Sequence, residues 1–349
     1  MGSESLDEFS LIRLLTGGRQ SPAFQRAGGV VTGIGDDAAV VEVTAGRHLI
    51  LTCDTMTEDT HFTSVTMRDR DIGFKAMASA VSDVAAMGGS PRFALISLSM
   101  PRSYPAERAH SLYEGLYECA NRYGVVVAGG DTTSSSSGLT VSVSVIGETE
   151  AGSALLRSSA APGDVVFVTG ELGNSAAGLE WLLSRGLAAS FWEDEWAGAG
   201  LEMRPLIGAH CRPLPRVEAG ELLRQSTWCH ALNDVSDGLA SEAWEIAEAS
   251  GVGIDLLEER IPLSEALFKQ AARAGKEPLD YALFGGEDYE LLGTVPAEQA
   301  LALQMKFKEA GLALHLIGYV TAEAGKVRLI RSSGDMVPLE KKGYNHFAG

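Results

Sequence analysis

Apolar and polar residues follow two different periods along this chain. The clearest helical pattern, over residues 71–87, has apolar side chains at i, i+3, i+7 and i+10: Phe74, Met77, Val81 and Val84. Short apolar runs between turn-forming residues predict strands, among them residues 48–53, 93–99, 125–128, 139–147, 165–169, 253–257 and 289–295. Because helical and strand patterns alternate from end to end, we expect an α/β (α+β) fold.

The length of 349 residues favours two domains, since a single hydrophobic core rarely grows this large. A polar stretch of small residues at 148–164 contains the turn sequence Pro162-Gly163-Asp164. We therefore predict an N-terminal domain over residues 1–150 and a C-terminal α/β domain over residues 151–349. Residues 187–204, rich in Trp, Glu and Gly, are predicted to form an inserted loop.

The formal net charge of −18 argues against nucleic acid and anionic membranes as partners. A phosphorylated ligand would need divalent cations as intermediaries. The four cysteines are widely spread and form no C-x-x-C pair, which predicts neither a zinc site nor a disulfide framework. No signal peptide is visible, and no apolar run approaches the roughly 20 residues of a membrane span. We expect a cytoplasmic protein.

Carboxylates at the ends of apolar strands or beside glycine recur six times. The segments are Gly35-Asp36-Asp37, Cys53-Asp54, Ser82-Asp83, Gly130-Asp131, Asp234-Val235-Ser236-Asp237 and Gly286-Glu287-Asp288. Any one of them alone is most often a turn former or a helix cap. Together they offer the hard oxygen ligands with which Mg²⁺ bridges proteins and phosphates. Asp83 lies within the predicted helix 71–87, whose many small residues allow close packing. The P-loop and the protein-kinase signatures are absent, so an ATP site must be of another kind.

Several longer blocks occur in a recognisable order. They are GIGDDAAVV, SDVAAMGG, GGDTT, SDGL, GGEDYEL and a closing GYNHF. This series resembles the thiamine-monophosphate kinases, which belong to a superfamily with aminoimidazole ribonucleotide synthetase. The resemblance implies that the mixed N-terminal sheet, with its helices, pairs across a homodimer into a barrel. It also implies that thiamine monophosphate and ATP are the substrates and that several Mg²⁺ ions assist.

The same resemblance assigns roles to individual residues. The implied metal ligands are Asp37, Thr52, Cys53, Asp54, Asp83, Asp131, Asp234 and Asp237. The implied ATP-binding residues are Tyr113, Gly130, Asp131, Arg157 and Ser236. The implied residues of the thiamine phosphate pocket are His61, Glu287 and Tyr344. Three positions depart from the family pattern: Cys53 weakens a side-chain oxygen ligand, Asp59 adds charge near the pocket, and Asn233 has no explanation from sequence.

The implied reaction needs no catalytic side chain. A phosphate monoester is already largely ionised at pH 7, because its second pKa is about 6, so no general base is required. We therefore predict direct in-line transfer of the γ-phosphate, driven by charge neutralisation and positioning. The alternatives are another ATP-dependent enzyme of the superfamily, of synthetase or hydrogenase-maturation type, and a non-catalytic metal-binding homologue. The chain lacks a cysteine before Cys53 and one at its C-terminus, which disfavours the enzymes that use one there.

Overall fold

The computed structural model describes residues 8–35, 37–185 and 200–341. These residues form two compact units. The first comprises the described residues up to Val84 together with Ser90–Ala151, and the second comprises Ala85–Gly89 and the described residues from Gly152 onward. No helix among the described residues is both long and apolar enough to cross a bilayer.

The first unit is built on a four-stranded sheet. Its elements are α1 (Glu8–Thr16), α2 (Pro22–Ala27), β1 (Val30–Thr32), β2 (Val40–Val41), β3 (Arg47–Thr57), α3 (Asp69–Ala86, whose last two residues belong to the second unit), β4 (Ser90–Pro101), α4 (Ala106–Arg122), β5 (Val126–Ser135) and β6 (Thr140–Glu150). The strand order is β3-β6-β4-β5, in which β4 and β5 run parallel and the other neighbours run antiparallel. Strands β1 and β2 form a separate small pair.

One face of this sheet is covered by helix and the other is partly open. Along β3, Ile50 and Met56 are buried, whereas Leu49 and Leu51 on the opposite face are exposed. Helix α3 lies on the buried side, where the Val84 side chain contacts Gly147 of β6. Helices α3 and α4 pack very closely, because a Cβ added to Gly73 would lie only 1.9 Å from the Leu112 carbonyl oxygen.

The second unit holds a seven-stranded sheet with helices on both faces. Its elements are β7 (Asp164–Val168), α5 (Asn174–Arg185), α6 (Arg204–Cys211), α7 (Val217–Ser226), β8 (Ala231–Asp234), α8 (Leu239–Ser250), β9 (Gly253–Leu257), α9 (Glu265–Ala274), α10 (Pro278–Phe284), β10 (Leu291–Pro296), α11 (Ala297–Glu309), β11 (His315–Thr321), β12 (Val327–Ile330) and β13 (Met336–Pro338). The strand order is β13-β12-β9-β11-β7-β10-β8. In β7, Val166 and Val168 join one apolar cluster while Val165 and Phe167 join another, so both faces are buried.

The structure confirms the mixed α/β architecture, and α3 confirms the helix predicted over residues 71–87. Two strands are longer than predicted: residues 48–53 lie within β3, and residues 125–128 are followed by a polar extension of β5 to Ser135. The carboxylates of Asp54 and Asp131 therefore lie inside strands, so the sequence placement at strand ends was wrong for both. Thr and Ser continue the ladder past the apolar run because these edge strands keep one face toward solvent. Asp234 does end its strand, as expected.

Asp59, one of the departures from the family pattern, is a turn residue. Its backbone has φ +64°, its side chain is exposed, and its N–H donates to the Phe62 carbonyl at 2.9 Å. Asp is among the few residues other than glycine that adopt the left-handed conformation readily. Asp59 is therefore compatible with the turn.

We expect Asp59→Val to lower the free energy of unfolding by about 1–2 kcal/mol, because a β-branched residue fits a left-handed turn poorly. Asp59→Gly is the matched control and should stay within about 1 kcal/mol of the parent. Urea denaturation of the three proteins measures this. Equal stability of the Val variant and the parent would show that the turn does not impose this conformation.

Candidate functional site

Two carboxylates of the first unit meet on the helix-covered face of its sheet. Asp54 on β3 pairs with Val143 of β6 and lies on the same face as the buried Ile50 and Met56. Asp83, on α3, accepts a short hydrogen bond from the hydroxyl of Thr52. Thr52, Asp54 and Asp83, all predicted metal ligands, are thus brought together by one strand and one helix.

The electrostatics of this group favour a bound cation. Burial raises the pKa of Asp54 to about 6, the charge of Asp83 adds to the rise, and a hydrogen bond with Ser79 opposes it. A divalent cation would reverse this shift, since it stabilises both carboxylates in their ionised form. Two carboxylates and a hydroxyl are hard oxygen donors of the kind that Mg²⁺ prefers. The residues present therefore fit a magnesium ion.

A second group of predicted residues lies on β5 and on the helix α4 that packs against it. The phenol of Tyr113, on α4, is buried, which raises its pKa to about 12, although its hydrogen bond with Thr132 acts in the opposite direction. The neighbouring Asp131 is exposed and close enough for its charge to favour the neutral phenol. Gly130 is required by the sheet itself, because a Cβ there would lie 1.9 Å from the Ile96 carbonyl oxygen. Tyr113 and Asp131, both assigned to ATP, therefore lie together.

The two groups lie at opposite edges of one sheet. The register places Asp54, Val143, Ile96 and Gly130 in a single row across the four strands. Three strand spacings separate β3 from β5, roughly 14 Å. Within residues 8–35, 37–185 and 200–341, no three His, Cys, Asp or Glu side chains come close enough to hold one metal ion. One chain alone therefore does not bring Asp131 to the pair Asp54 and Asp83.

The remaining predicted residues of this unit are more scattered. The Cys53 side chain is exposed on the face of β3 opposite to Thr52 and Asp54, so its sulfur cannot join them. Asp37 is exposed in the bend between β1 and β2. The Nδ1 atom of His61 accepts the backbone N–H of Thr57 at 3.0 Å. In the neutral imidazole this bond leaves the proton on Nε2, so His61 can present a donor to a phosphate oxygen.

A third group lies in the second unit around the start of α8. Asp234 is buried at the end of β8, and Ser236 and Asp237 follow it. The Glu242 carboxylate accepts the Asp237 backbone N–H at 3.1 Å and the Ser236 hydroxyl at 3.3 Å. Burial raises the pKa of Glu242 well above its usual range, and the charges of Glu245 and Asp234 raise it further. This acidic cluster comprises Asp234, Asp237, Glu242 and Glu245.

Arg157 is attached to the same cluster through Asn233. The Nε atom of Arg157 donates to the Asn233 side-chain oxygen at 2.9 Å, and its Nη1 lies 2.9 Å from Glu245 Oε2. The Asn233 amide donates in turn to Glu242 and Glu245. The role of Asn233 is thereby explained, since an amide can accept from the guanidinium and donate to the carboxylates. The exposed Arg157 side chain is held at the edge of the acidic cluster.

Glu287 lies in a loop of acidic residues that follows α10. Its φ is +68°, and its backbone N–H donates to the Ser236 carbonyl at 2.7 Å. The next residue, Asp288, accepts the backbone N–H groups of Gly173 and Ser175 at the start of α5. Glu290 forms a two-point ion pair with Arg216. The carboxylates of Asp288 and Glu290 thus have partners of different kinds, backbone amides for one and a guanidinium for the other.

Three sequence predictions fall wholly or partly outside the described residues. They concern Tyr344, Asp36 and residues 187–199 of the predicted loop. The end of that loop at Arg204 is the first residue of α6.

Sequence reasoning missed Glu242, Glu245 and His210. Glu242 lies in the first turn of α8, where a carboxylate is favoured by the helix dipole, and this position is the signal that could have indicated it. No pattern around His210 indicates its contacts, which are formed with residues far away in the sequence.

The chain matches two protein families. AIR synthase related protein, N-terminal domain, matches residues 35–149, and AIR synthase related protein, C-terminal domain, matches residues 161–330. A thiamine-monophosphate kinase of Bacillus subtilis (strain 168) is 44% identical over 342 residues, which are 98% of this chain and 100% of the relative.

Solved structures show the same relationship. A thiamine-monophosphate kinase from Stenotrophomonas maltophilia K279a has a TM-score of 0.79 at 34% identity, covering 93% of this chain and 96% of that chain. AaThiL complexed with AMPPCP and TMP has a TM-score of 0.75 at 36% identity, covering 99% of each chain.

The acidic cluster generates a prediction about pH. Because the pKa of Glu242 is raised, the folded state keeps a proton on Glu242 at pH values where the unfolded state has released it. The resulting contribution to stability is complete below the pKa of the unfolded state. It is lost as pH rises through the pKa of the folded state. In buffer with EDTA, the melting temperature of Glu242→Gln should therefore rise relative to the parent as pH increases from about 5 to about 8. Glu248→Gln, on the same helix as Glu242, is the control. It alters only the exposed ion pair between Glu248 and Lys341 and should show no such trend. A difference between Glu242→Gln and the parent that is constant with pH contradicts the assignment.

Proposed function

The chain belongs to the thiamine-monophosphate kinases among the AIR synthase related proteins, and we propose that it transfers the γ-phosphate of ATP directly to thiamine monophosphate, giving thiamine diphosphate and ADP. The observation that carries the proposal is the meeting of Asp54 and Asp83 beside Thr52, a carboxylate pair that needs cations. The relatives support the substrates, since one of them is complexed with AMPPCP and TMP.

The reaction brings two anionic phosphates together, so repulsion is a leading part of its barrier. Thr52, Asp54, Asp83 and Asp234 would hold Mg²⁺, with Asp37, Asp131, Asp237 and the Cys53 backbone carbonyl as further ligands. Bound Mg²⁺ supplies charge neutralisation for the phosphates. Tyr113, Gly130, Arg157 and Ser236 would position ATP. The phosphate of the acceptor is its own nucleophile, so the protein need only hold it in line with the γ-phosphorus.

The acceptor carries a cationic thiazolium ring at one end and a phosphate at the other. The Glu287 carboxylate suits the ring by charge, and the Nε2–H of His61 suits a phosphate oxygen. Tyr344 is assigned to the same pocket, since an aromatic face attracts a cation by roughly 0.5–2 kcal/mol.

We also propose a homodimer in which residues 1–150 carry the ATP and Mg²⁺ ligands and residues 151–349 complete the site. The open face of the N-terminal sheet exposes Leu49, Leu51 and Leu95 to 47%, 71% and 41%, which is the face that would close a barrel with a second copy. A second copy would also supply an Asp131, which in one chain lies on β5, three strand spacings (roughly 14 Å) away from the strand β3 that carries Asp54. A cytoplasmic location remains a prediction.

The direct test incubates the protein with Mg²⁺, ATP and thiamine monophosphate and follows thiamine diphosphate and ADP by chromatography. Free thiamine replaces the monophosphate as a control and should give no product, and EDTA should abolish turnover. ADP formation without thiamine diphosphate would instead favour another ATP-dependent enzyme of the superfamily.

We expect Asp83→Asn and Asp131→Asn each to reduce kcat/KM by about a hundredfold or more, since each removes a negative ligand from a site built on charge neutralisation. Melting temperatures should change by only a few degrees. Asp335→Asn, in the exposed turn between β12 and β13, is the matched control and should retain full activity. Full activity in both active-site variants would remove the carboxylates from the mechanism.

The dimer makes a separate prediction. Leu51→Asp should yield monomers in analytical ultracentrifugation and lose activity, because a charge on the open sheet face cannot be buried in an interface. Leu301→Asp, on α11, is a control of nearly equal exposure, 68% against 71%, and should sediment like the parent. Identical sedimentation of both variants and the parent would place any interface elsewhere.

A further inference from the structure

A buried histidine without an assigned role contacts the carboxylate of Glu287, which is proposed to bind the substrate. His210, on α6, is 1% exposed, and its Nδ1 atom lies 3.4 Å from Glu287 Oε2 and 3.2 Å from the Ser175 hydroxyl. We propose that His210 is a positioning residue that holds the Glu287 carboxylate in the orientation that binds the cationic ring of the substrate. This inference rests on the proposed function.

The backbone of Glu287 is already restrained where the side chain begins. Its positive φ is one that only a few non-glycine residues adopt, and its N–H is fixed on the Ser236 carbonyl at 2.7 Å. These restraints set the position of Cα, but three rotatable bonds separate Cα from the carboxylate oxygens. The contact with His210 acts at the far end of those bonds and so selects one orientation of the charged group.

His210 is itself held by a neighbour of Glu287. Asp288 accepts the backbone N–H groups of Gly173 and Ser175 at 2.6 and 3.2 Å, which fixes the first turn of α5. The Ser175 hydroxyl, from the same turn, lies against His210 Nδ1. The contacts therefore form a closed ring from Asp288 through Ser175 and His210 back to Glu287. A displacement of one member is resisted by the others.

Glu287 and Glu290 lie in the same loop but are contacted by side chains of different kinds. Glu290 is held at two points by Arg216, a permanent cation that cancels its charge. A neutral imidazole with its proton on Nδ1 can donate to Glu287 and share that N–H with the Ser175 hydroxyl oxygen, so His210 adds no positive charge of its own. The Glu287 side chain is 27% exposed, so a ligand can reach its carboxylate. A histidine thus suits a carboxylate that must bind a cation elsewhere.

The test measures steady-state kinetics of four variants: His210→Leu, His210→Asn, Glu287→Gln and the double variant His210→Leu/Glu287→Gln. His210→Leu should raise KM for thiamine monophosphate about tenfold, with kcat and KM for ATP within about twofold of the parent. His210→Asn should recover most of the loss, because the asparagine amide places an N–H near the position of Nδ1. The double variant should be no worse than Glu287→Gln alone, since His210 acts through Glu287.

A substrate analogue isolates the charge. A thiamine monophosphate isostere with a neutral ring should bind the parent more weakly than thiamine monophosphate does, and this preference should shrink in Glu287→Gln and His210→Leu alike. Ser175→Ala supplies a second, milder variant should His210→Leu not fold, and it should raise the same KM by a few fold.

Several results would overturn the inference while leaving the proposed function intact. The first is an unchanged KM for thiamine monophosphate in folded His210→Leu, or in Ser175→Ala if His210→Leu does not fold. The second is an equal rise in KM for ATP and for thiamine monophosphate. The third is additive effects on KM in the double variant. Failure of the parent protein to form thiamine diphosphate is a different outcome, and it would remove the proposed function itself.

Discussion

Two ionised carboxylates held together on a covered sheet face repel each other unless a cation lies between them. The pair Asp54 and Asp83 imposes this need for a cation on the N-terminal unit. The raised pKa of Asp54 expresses the condition, since burial and the neighbouring charge both favour its protonated form. The fold maintains the pair because Asp54 belongs to the face of β3 that α3 covers, and Thr52 attaches Asp83 to the same strand. The proposed magnesium ion, together with the phosphates it would carry, would satisfy this requirement.

The second unit handles its carboxylates in a different way. Asp288 accepts two backbone N–H groups at the start of α5 and Glu290 is paired with Arg216, so both organise the loop. Asp234, Asp237 and Glu242 crowd together at the start of α8, and Asn233 connects this group to Arg157. The second unit thus contains two carboxylates that hold its loop together and a crowded group whose mutual repulsion a bound cation would relieve.

Much of this arrangement could be predicted from sequence, but only where local signals exist. The apolar spacing in α3 identified the helix that carries Asp83, and glycine next to Asp identified the acidic segments. The polar extension of β5 could not be predicted, because the residues after Gly130 carry no apolar alternation and their pairing depends on β4. Glu242 and His210 escaped for a similar reason, since their partners come together only when distant segments pack. Asn233 became intelligible only once Arg157 and Glu242 were seen on either side of its amide.

The distribution of the acidic groups also bears on why such an enzyme would be a dimer. A single sheet places Asp54 in one row with Gly130, the residue before Asp131, so the two carboxylates belong to opposite edges, three strands apart. An ion that requires oxygen ligands at about 2.1 Å cannot bridge that distance within one chain. Closing the sheet against a second copy would turn the edge of one chain toward the other and would cover the exposed leucines at the same time. In the proposed dimer, the apolar face and the separated carboxylates would have one common explanation: two chains would share the ligands of the site.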